Sequence, residues 1–415
     1  MTPIDTRQPE GDLSPKIGAL AEPRSPKAAA LGLAVALYLL QLNRALAEDH
    51  VDYRYENYRE DGNRMAVDTQ SGLFEVKPLP WLSVIGEAVY DSISGATPTG
   101  APPATDIKTP FPPPGPYNST VPLVHMHDKR YAGNISAEMT FGIHHITPQF
   151  AYSQESDYIS YGAALNYSVD LNGKNTTLNF GWSHDFDTIL ATPFTYIVKK
   201  QDKNTDDFLV GVNQLLTPKT VLTANFTYRN SHGYEDDPYR GVLFSDYPQA
   251  DLNNPALFEE HRPYFKHSYI GYVSLLQYIT PLKGGLEGSY RVYDDSYGVL
   301  AHTFGLSWHQ KIGKMFLISP VFRYYRQSAA DFYATQFPGD PSINPAAAPA
   351  YYSADYRLSK METFTFGIEA SARITEWLTL DLAYKRYDMR GLDGVTSQSA
   401  YPKANVVTVG ARVWF

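Results

Sequence analysis

The last ten residues of the chain alternate between apolar positions and positions that are mostly polar or small. Counting back from the C-terminal Phe415, valine or alanine occupies every second position, and the interleaved positions carry Trp414, Arg412, Gly410 and Thr408. A period of two describes a β-strand with one apolar face and one polar face. A half-buried strand of an ordinary sheet fits this pattern as well as a strand between lipid and water. The ending therefore predicts a strand and leaves its surroundings open.

The composition indicates which kinds of membrane protein or soluble sheet this chain could form. Beyond residue 47, no run of 18 or more apolar residues occurs, which excludes α-helices that span a membrane. The mean hydropathy of -0.33 is too low for a helical membrane protein, whereas a barrel that alternates lipid-facing and water-facing residues has such a value. Cysteine is absent, so disulfides, thiolate metal sites and cysteine nucleophiles are excluded.

Residues 1–47 have the features of a signal peptide with a long polar lead. Arg24 and Lys27 precede an apolar run of 15 residues, and residues 45–47 (Ala-Leu-Ala) provide small side chains for cleavage before Glu48. Cleavage there removes five basic and four acidic residues, so the net charge changes from -9 to -10. This acidic balance argues against nucleic acid as a partner.

Turn residues divide the remaining chain into alternating segments. Seven short turns, six of them containing Pro, Asn or Gly, alternate with eight loops, of which the long ones are 95–129, 188–205, 232–265, 328–356 and 390–402. All the long loops fall on the side opposite to the short turns. The count gives about sixteen strands, an even number that places both termini on one side.

This pattern predicts an all-β fold, a transmembrane antiparallel β-barrel of about sixteen strands formed by residues 48–415 as one domain. The short turns are expected in the periplasm and the long loops outside the cell, which is the arrangement in the bacterial outer membrane. Closure also explains how so many strands avoid an exposed edge. A soluble β-helix or propeller is the alternative.

Charged residues occupy the strand face opposite to the apolar one, with acids and bases close to balanced. Those predicted to line the lumen include Arg54, Glu87, Glu138, Arg291, Arg323, Glu369, Arg373, Asp381 and Arg412. A barrel of this size leaves an aqueous channel, and a charged wall suits hydrated solutes. The mixed charge predicts weak ion selectivity. The alternative is a plugged barrel with structural ion pairs, although no long loop has a sequence that indicates a plug.

Several stretches carry a family resemblance, among them residues 71–75 (Ser-Gly-Leu-Phe-Glu), 233–239 (Gly-Tyr-Glu-Asp-Asp-Pro-Tyr) and 323–333 (Arg-Tyr-Tyr-Arg-Gln-Ser-Ala-Ala-Asp-Phe-Tyr). Together the stretches cover nearly the whole mature chain, and they resemble the domain-of-unknown-function family 3570 of Gram-negative outer-membrane barrels. The resemblance implies no activity. Members are similar to proteins often encoded near periplasmic flavin-transfer and thioredoxin-like proteins, so it implies a periplasmic flavin or thioredoxin-like partner.

One cluster of metal-ligand residues, His125-Met126-His127-Asp128, ends the first long loop. Imidazole with thioether suits copper, and two imidazoles with a carboxylate suit zinc. The two imidazoles extend to the same strand face, so chelation is geometrically feasible, but a solvated loop end is the simpler interpretation. His144 and His145 point to opposite faces and are not expected to share an ion.

The loop 232–265 contains the acidic run Glu235-Asp236-Asp237, which is expected to be solvated. Its alternatives are calcium binding and bridging to lipopolysaccharide through divalent cations. No Gly-x-Ser-x-Gly motif and no glycine-rich phosphate loop occurs, and no Ser, His and acid have the spacing of a known catalytic set. We therefore expect no enzymatic activity and no resident cofactor.

The terminal strand is predicted to be an assembly signal read by the barrel-insertion machinery, through Phe415, Val413 and Val409. For function, two classes remain open. The first is a passive or weakly selective channel for small hydrophilic solutes or ions, favoured by the lumen charges. The second is a non-conducting scaffold for a periplasmic or surface redox or metal-linked partner, favoured by the family resemblance.

Overall fold

The computed structural model describes residues 49–107, 120–190, 200–252 and 254–415. The signal peptide predicted at 1–47 lies outside these residues. Seven short 3-10 helices occur in the described chain, at Asp61–Asn63, Ala104–Asp106, Asn172–Lys174, Thr280–Leu282, Pro345–Ala347, Tyr356–Leu358 and Gln398–Ala400. Among the described residues, none of the helices has the length and apolar character needed to cross a membrane.

Sixteen strands form a closed antiparallel barrel, as predicted. They are β1 (His50–Glu60), β2 (Met65–Leu79), β3 (Leu82–Pro98), β4 (Leu123–Phe141), β5 (His144–Gln154), β6 (Tyr158–Leu171), β7 (Thr176–Ile189), β8 (Gln201–Thr217), β9 (Thr220–Gly233), β12 (Phe265–Ile279), β13 (Gly284–Asp295), β14 (Leu300–Ile312), β15 (Phe316–Gln327), β16 (Met361–Arg373), β17 (Leu378–Gly391) and β18 (Lys403–Trp414). The two-residue strands β10 (Gly241–Val242) and β11 (Phe258–Glu259) pair with each other outside the barrel sheet.

The barrel strands follow the order of the chain around the ring, and β18 pairs with β1 to close it. The register of this last pair runs from His50 opposite Trp414 to Glu60 opposite Ala404. Each strand thus has two hydrogen-bonded neighbours, so the barrel sheet leaves no strand edge exposed.

The alternation of side chains gives the barrel an apolar outer face. Large apolar side chains are exposed at every second position of the strands, for example Tyr53, Phe150, Phe208, Leu306, Phe366, Leu382 and Val409. Directly paired residues of neighbouring strands point to the same side of the sheet. Their apolar side chains therefore form a continuous band around the barrel. The other set of positions, which carries most of the charged residues, faces the inside.

Strand pairing continues further into the loops than the sequence predicts. The first long loop, predicted at 95–129, spans 99–122, because β3 and β4 pair as far as Pro98 and Leu123. The loop predicted at 188–205 spans 190–200 for the same reason, since β7 and β8 pair as far as Ile189 and Gln201.

Four loops pack together into a structure that we call the loop cap, formed by residues 99–107, 234–252 and 254–264, 328–360 and 392–402. It contains most of the buried apolar side chains of the described chain. One of its apolar clusters consists of Val242, Phe244, Phe258, Phe337, Tyr352 and Ala354, in which Phe244 is fully buried. The sequence of no single loop indicates this packing, in which the loops bury one another's apolar side chains.

The loop cap crosses one opening of the barrel. The loop between β3 and β4 and the loop between β9 and β12 are six of the sixteen strand positions apart around the ring. Nevertheless, Gly241 N donates to Thr99 O at 2.7 Å, and Arg240 Nη1 donates to Pro98 O at 2.6 Å. Loops anchored so far apart meet only by extending over the mouth.

Candidate functional site

The inner face of the barrel carries all nine residues predicted to line the lumen. Each one lies at the strand position that alternates with the exposed apolar residues: Arg54, Glu87, Glu138, Arg291, Arg323, Glu369, Arg373, Asp381 and Arg412. The backbone register supports this placement, since Arg54 pairs with Gly410 while the neighbouring Tyr53 pairs with Ala411. The residues therefore share one surface of the closed barrel.

Several of these residues pair with a side chain of a neighbouring strand. Arg412 donates to Asp52 through two nitrogens, at 2.6 and 2.5 Å. Lys385 Nζ lies 2.7 Å from Glu369 Oε1, and Nδ1 of His145 lies 3.3 Å from Glu138 Oε1. Such partly exposed pairs contribute about 0.2–1 kcal/mol each, so they orient the side chains more than they stabilise the barrel.

Two inner-face arginines have aromatic rather than acidic partners. The guanidinium of Arg291 lies 5.6 Å from the ring centre of Tyr293, and that of Arg323 lies 5.5 Å from the ring centre of Tyr325. Within the described residues, no carboxylate forms an ion pair with either arginine. Because the ring faces leave the positive charge uncompensated, both arginines present it to the barrel interior.

The loop cap contains a buried network of ion pairs centred on Asp355, which is 1% exposed. Its carboxylate accepts from Arg262 Nη2 at 3.0 Å and from Arg357 Nε at 2.9 Å, and Arg240 Nε lies 3.6 Å away. Arg357 also pairs with Asp237. Three guanidinium groups hold the pKa of the Asp355 carboxyl well below its ordinary value of 3.8, despite its burial.

Glu260 extends this network and is 2% exposed. It lies 2.8 Å from Arg262 Nε and accepts from Ser353 Oγ at 2.5 Å. Burial raises its pKa from 4.5 to about 7, although Arg262 opposes the shift. The nearby Asp236 is also buried enough that its pKa rises to about 6.

These contacts correct the prediction for the acidic loop. Asp236 accepts from Arg262 N, and Glu260 accepts from Asp237 N. Glu260 and Asp237 also pair with Arg262 and Arg357, so these carboxylates have partners within the loop cap. Their partners are already within the chain, which leaves the calcium alternative without support. Sequence reasoning missed the network because Asp355 and Arg357, which complete it, come from a loop distant in the chain.

Two loops of the cap approach each other closely at Gly100. A Cβ atom added there would lie 2.4 Å from Gly241 O, and Gly100 has a φ of 103° that other residues rarely adopt. Glycine is therefore required both by the backbone conformation and by the contact across the mouth.

A cavity of about 330 Å³ lies between the loop cap and the inner wall. Its lining includes Tyr58 and Glu60 of β1, Lys385 and Tyr387 of β17, and Arg357 of the loop cap. The barrel thus retains space beneath the cap, and that space is bounded by charged and phenolic groups.

The predicted metal cluster is divided between the two faces of β4. His125 and His127 are exposed on the outer face, whereas Met126 and Asp128 occupy inner-face positions. The structure therefore does not bring the four side chains together around one ion. Asp128 instead lies beside Glu155 and Asp157, with carboxylate oxygens within 4.8 Å of one another.

The predicted assembly-signal residues lie on the terminal strand and just beyond it. Val409 is 50% exposed on the outer face, and Val413 pairs with Val51 on one side and with Leu378 on the other. The amide of Phe415 donates to Asp49 O at 2.9 Å. The last residue is thus tied to the beginning of the described chain.

A closed sixteen-strand antiparallel barrel with an apolar outer band is the architecture of bacterial outer-membrane proteins, and the outer membrane is where this protein resides. The model of a family described as "Protein of unknown function (DUF3570)" matches residues 27–405. Among curated proteins, none matches the chain.

The similar solved structures have low sequence identity. The siderophore receptor PirA from Pseudomonas aeruginosa is 11% identical, with a TM-score of 0.42, over 89% of this chain and 62% of that one. CdiB from Acinetobacter baumannii is 8% identical, with a TM-score of 0.48, over 90% and 61%. A bacterial polysaccharide outer membrane secretin is 7% identical, with a TM-score of 0.45, over 89% and 99%. None of the three is described as an enzyme. The chain spans about three fifths of the receptor's length.

Proposed function

Because the chain belongs to the DUF3570 family, for which no function is known, we propose from its geometry that it is a gated outer-membrane channel for small hydrophilic solutes or ions. The observation that carries the proposal is the charged inner face of a sixteen-strand barrel, beneath a loop cap that crosses one mouth. Barrels of this size enclose an aqueous lumen, and charged walls are suited to hydrated solutes.

The loop cap gives the channel its gate. Its ion pairs and apolar cluster hold loops from distant strands over the mouth, so solute flow depends on whether these contacts are made. Breaking a buried ion-pair network by removing one partner costs about 3–5 kcal/mol, because the remaining charges stay buried without compensation. Asp355→Ala removes the carboxylate that three guanidinium groups share and leaves them only Asp237 and Glu260 as partners, so it is expected to open the cap.

Conductance of the purified protein in planar bilayers tests this function. We expect rare openings in the unmodified protein and longer openings in Asp355→Ala, whereas Asp340→Asn, in an exposed turn of the same loop, should leave the openings unchanged. Arg323→Glu and Glu369→Lys should alter the conductance of the open state. Absence of conductance in every variant, including Asp355→Ala, would reject the channel.

The closed loop cap also favours a second candidate, a non-conducting scaffold. In that case the periplasmic turns or the cap surface would hold a partner, such as a flavin-carrying or thioredoxin-like protein. Stable co-purification of such a protein with a barrel that never conducts would replace the channel by the scaffold. Lipopolysaccharide and the insertion machinery remain expected partners in either case.

A further inference from the structure

Acidic residues are concentrated on one side of the inner face. On the six neighbouring strands β3 to β8, inner-face positions carry eight acids and two bases. The acids are Glu87, Asp91, Asp128, Glu138, Asp170, Asp185, Asp187 and Asp207, and the bases are Arg130 and Lys203. This half of the wall is strongly negative.

Basic residues are concentrated on the other side. On β9 and β12 to β18, inner-face positions carry eight bases and four acids. The bases are Arg229, Lys266, Arg291, Lys311, Arg323, Arg373, Lys385 and Arg412, and the acids are Glu287, Asp295, Glu369 and Asp381. On the strands β1 and β2, which complete the ring, the paired inner-face positions carry the acids Asp52, Glu56, Glu60 and Glu75 and the base Arg54, so these strands continue the acidic side.

The two walls face each other across the lumen. Arg291 on β13 and Glu87 on β3 are eight of the sixteen strand positions apart and are therefore diametrically opposed. Arg291 and Arg323 have no ion-pair partner among the described residues, and none is formed by Glu87 or Asp185 on the acidic side. These four unpaired charges thus have opposite signs on opposite walls.

Opposed charges of this kind produce an electric field directed across the pore. Low-dielectric walls concentrate such a field within a cleft. Salt weakens it over a Debye length of about 8 Å at physiological ionic strength, so it acts most strongly close to the walls and beneath the loop cap, where space is limited. A transverse field orients a solute that carries separated charges and does not favour either ion over the other.

We propose that the channel selects small solutes that carry both a positive and a negative group, of the amino-acid type. Such a solute places its ammonium group toward β3–β8 and its carboxylate toward Arg291 and Arg323. An uncharged solute of the same size gains nothing from this arrangement. The proposal rests on the proposed channel function and identifies the class of solute that the channel passes.

Tracer uptake into proteoliposomes at low ionic strength tests the proposal, with glycine as the zwitterion and its uncharged isomer glycolamide as the reference. We expect glycine to enter roughly threefold faster, which is the size of effect that partly exposed ionic contacts produce. Salt near 1 M, where the Debye length is about 3 Å, should remove the preference.

Two paired variants separate a transverse field from a simple ion site. Arg291→Gln with Arg323→Gln removes the two unpaired charges described on the basic wall, and Glu87→Gln with Asp185→Asn removes the two described on the acidic wall. Both paired variants should lower the glycine preference. The matched control is Arg326→Gln with Arg390→Gln, which removes the same charge from the outer face and should keep the preference.

The outcomes distinguish this proposal from the channel itself. Absence of uptake of both solutes, together with absence of conductance, rejects the channel function. Equal uptake of glycine and glycolamide through a conducting protein rejects only the zwitterion preference. A preference that responds to the arginine variants but not to the acidic ones would assign an anion site instead, and loss of the preference in the outer-face control would also overturn the proposal.

Discussion

At the scale of single residues, the loop cap depends on a contact that admits no side chain. Gly100→Ala would place a Cβ atom 2.4 Å from Gly241 O and would force alanine to a φ of 103°. A strained backbone conformation alone costs about 1–3 kcal/mol, and the backbone oxygen cannot move aside as a flexible side chain would. We expect the two loops to separate, with faster hydrogen exchange at the Gly241 amide, which donates to Thr99 O.

Gly394→Ala is the control for this substitution. Gly394 also has a positive φ, 74°, but no atom lies within 4 Å of an added Cβ. It should therefore show the conformational cost without the steric contact, and exchange at Gly241 should remain slow. Equal exchange in the two variants would mean that the close approach of the loops does not hold the cap.

At the scale of one element, β18 closes the barrel, because it pairs with β17 on one side and with the first strand, β1, on the other. Val413→Asp introduces a charge on the outer face, which costs up to a few kcal/mol in the hydrocarbon and less near an interface. Deleting Phe415 removes the aromatic end. Both changes should lower the amount of protein in the outer membrane, measured by fractionation and immunoblotting.

Arg412→Ala is the inner-face comparison on the same strand. It removes the ion pair with Asp52, which is partly exposed and contributes about 0.2–1 kcal/mol, so assembly should be nearly normal. Outer-membrane levels that are equal in all three variants would contradict the assignment of faces on β18.

The loop cap, as an element, should respond to pH through Glu260. Folding raises the pKa of this group from 4.5 to about 7, so the folded cap binds the proton more tightly than the separated loops. Its stabilising contribution is complete below about pH 4.5 and is lost as the pH rises through 7; Asp236 acts in the same direction near pH 6. The pKa of Asp355 is lowered, so its contribution is lost only in strong acid.

We therefore expect bilayer recordings to show more frequent openings at pH 8 than at pH 5. The shift of Glu260 limits the change in the free energy of cap opening to about 3 kcal/mol. Glu260→Gln cannot ionise and should reduce the pH dependence while leaving the acid-side behaviour unchanged. An identical pH profile in Glu260→Gln would assign the dependence to other groups.

For the whole molecule, the orientation in the membrane determines where a protease cuts intact cells. The most accessible parts of the loop cap are its tips, where Ile343 is 82% and Val395 is 63% exposed. The neighbouring segment around Phe244 is fully buried. Proteinase K added from outside should cleave near Ile343 and spare 242–244. Cleavage confined to the short turns at 79–82 and 217–220 would reverse the predicted orientation.

Much of this architecture could be predicted because it is periodic. Alternation along segments such as 378–385 determines which side chains face lipid, and the placement of Arg323, Glu369 and Arg412 on one surface follows from the same period. The predicted metal cluster was misplaced because it lies at a predicted loop end, where no periodicity is expected. The sequence places Asp128 at a loop end, whereas strand pairing extends past it and turns it away from the histidines.

The loop cap could not be predicted from periodicity, since its contacts join residues hundreds of positions apart. Arg64 Nη1, for example, donates to Ser399 O at 2.8 Å. A partial signal was present in Val242-Leu243-Phe244, an apolar run inside a loop expected to be solvated. The opposition of acidic and basic walls could also be predicted from the sequence, but only by sorting the inner-face charges strand by strand around a closed ring.

The pairing of β1 with β18 imposes an order in time. β1 cannot pair with β18 until almost the last residue has been synthesised, and the edge of β1 must be shielded until then. Loops from opposite parts of the ring cannot meet before the ring exists, so the cap is the final product of a slow, long-range search. Cap contacts would therefore report completed closure, and a chain shortened by one strand should lack them altogether rather than in part.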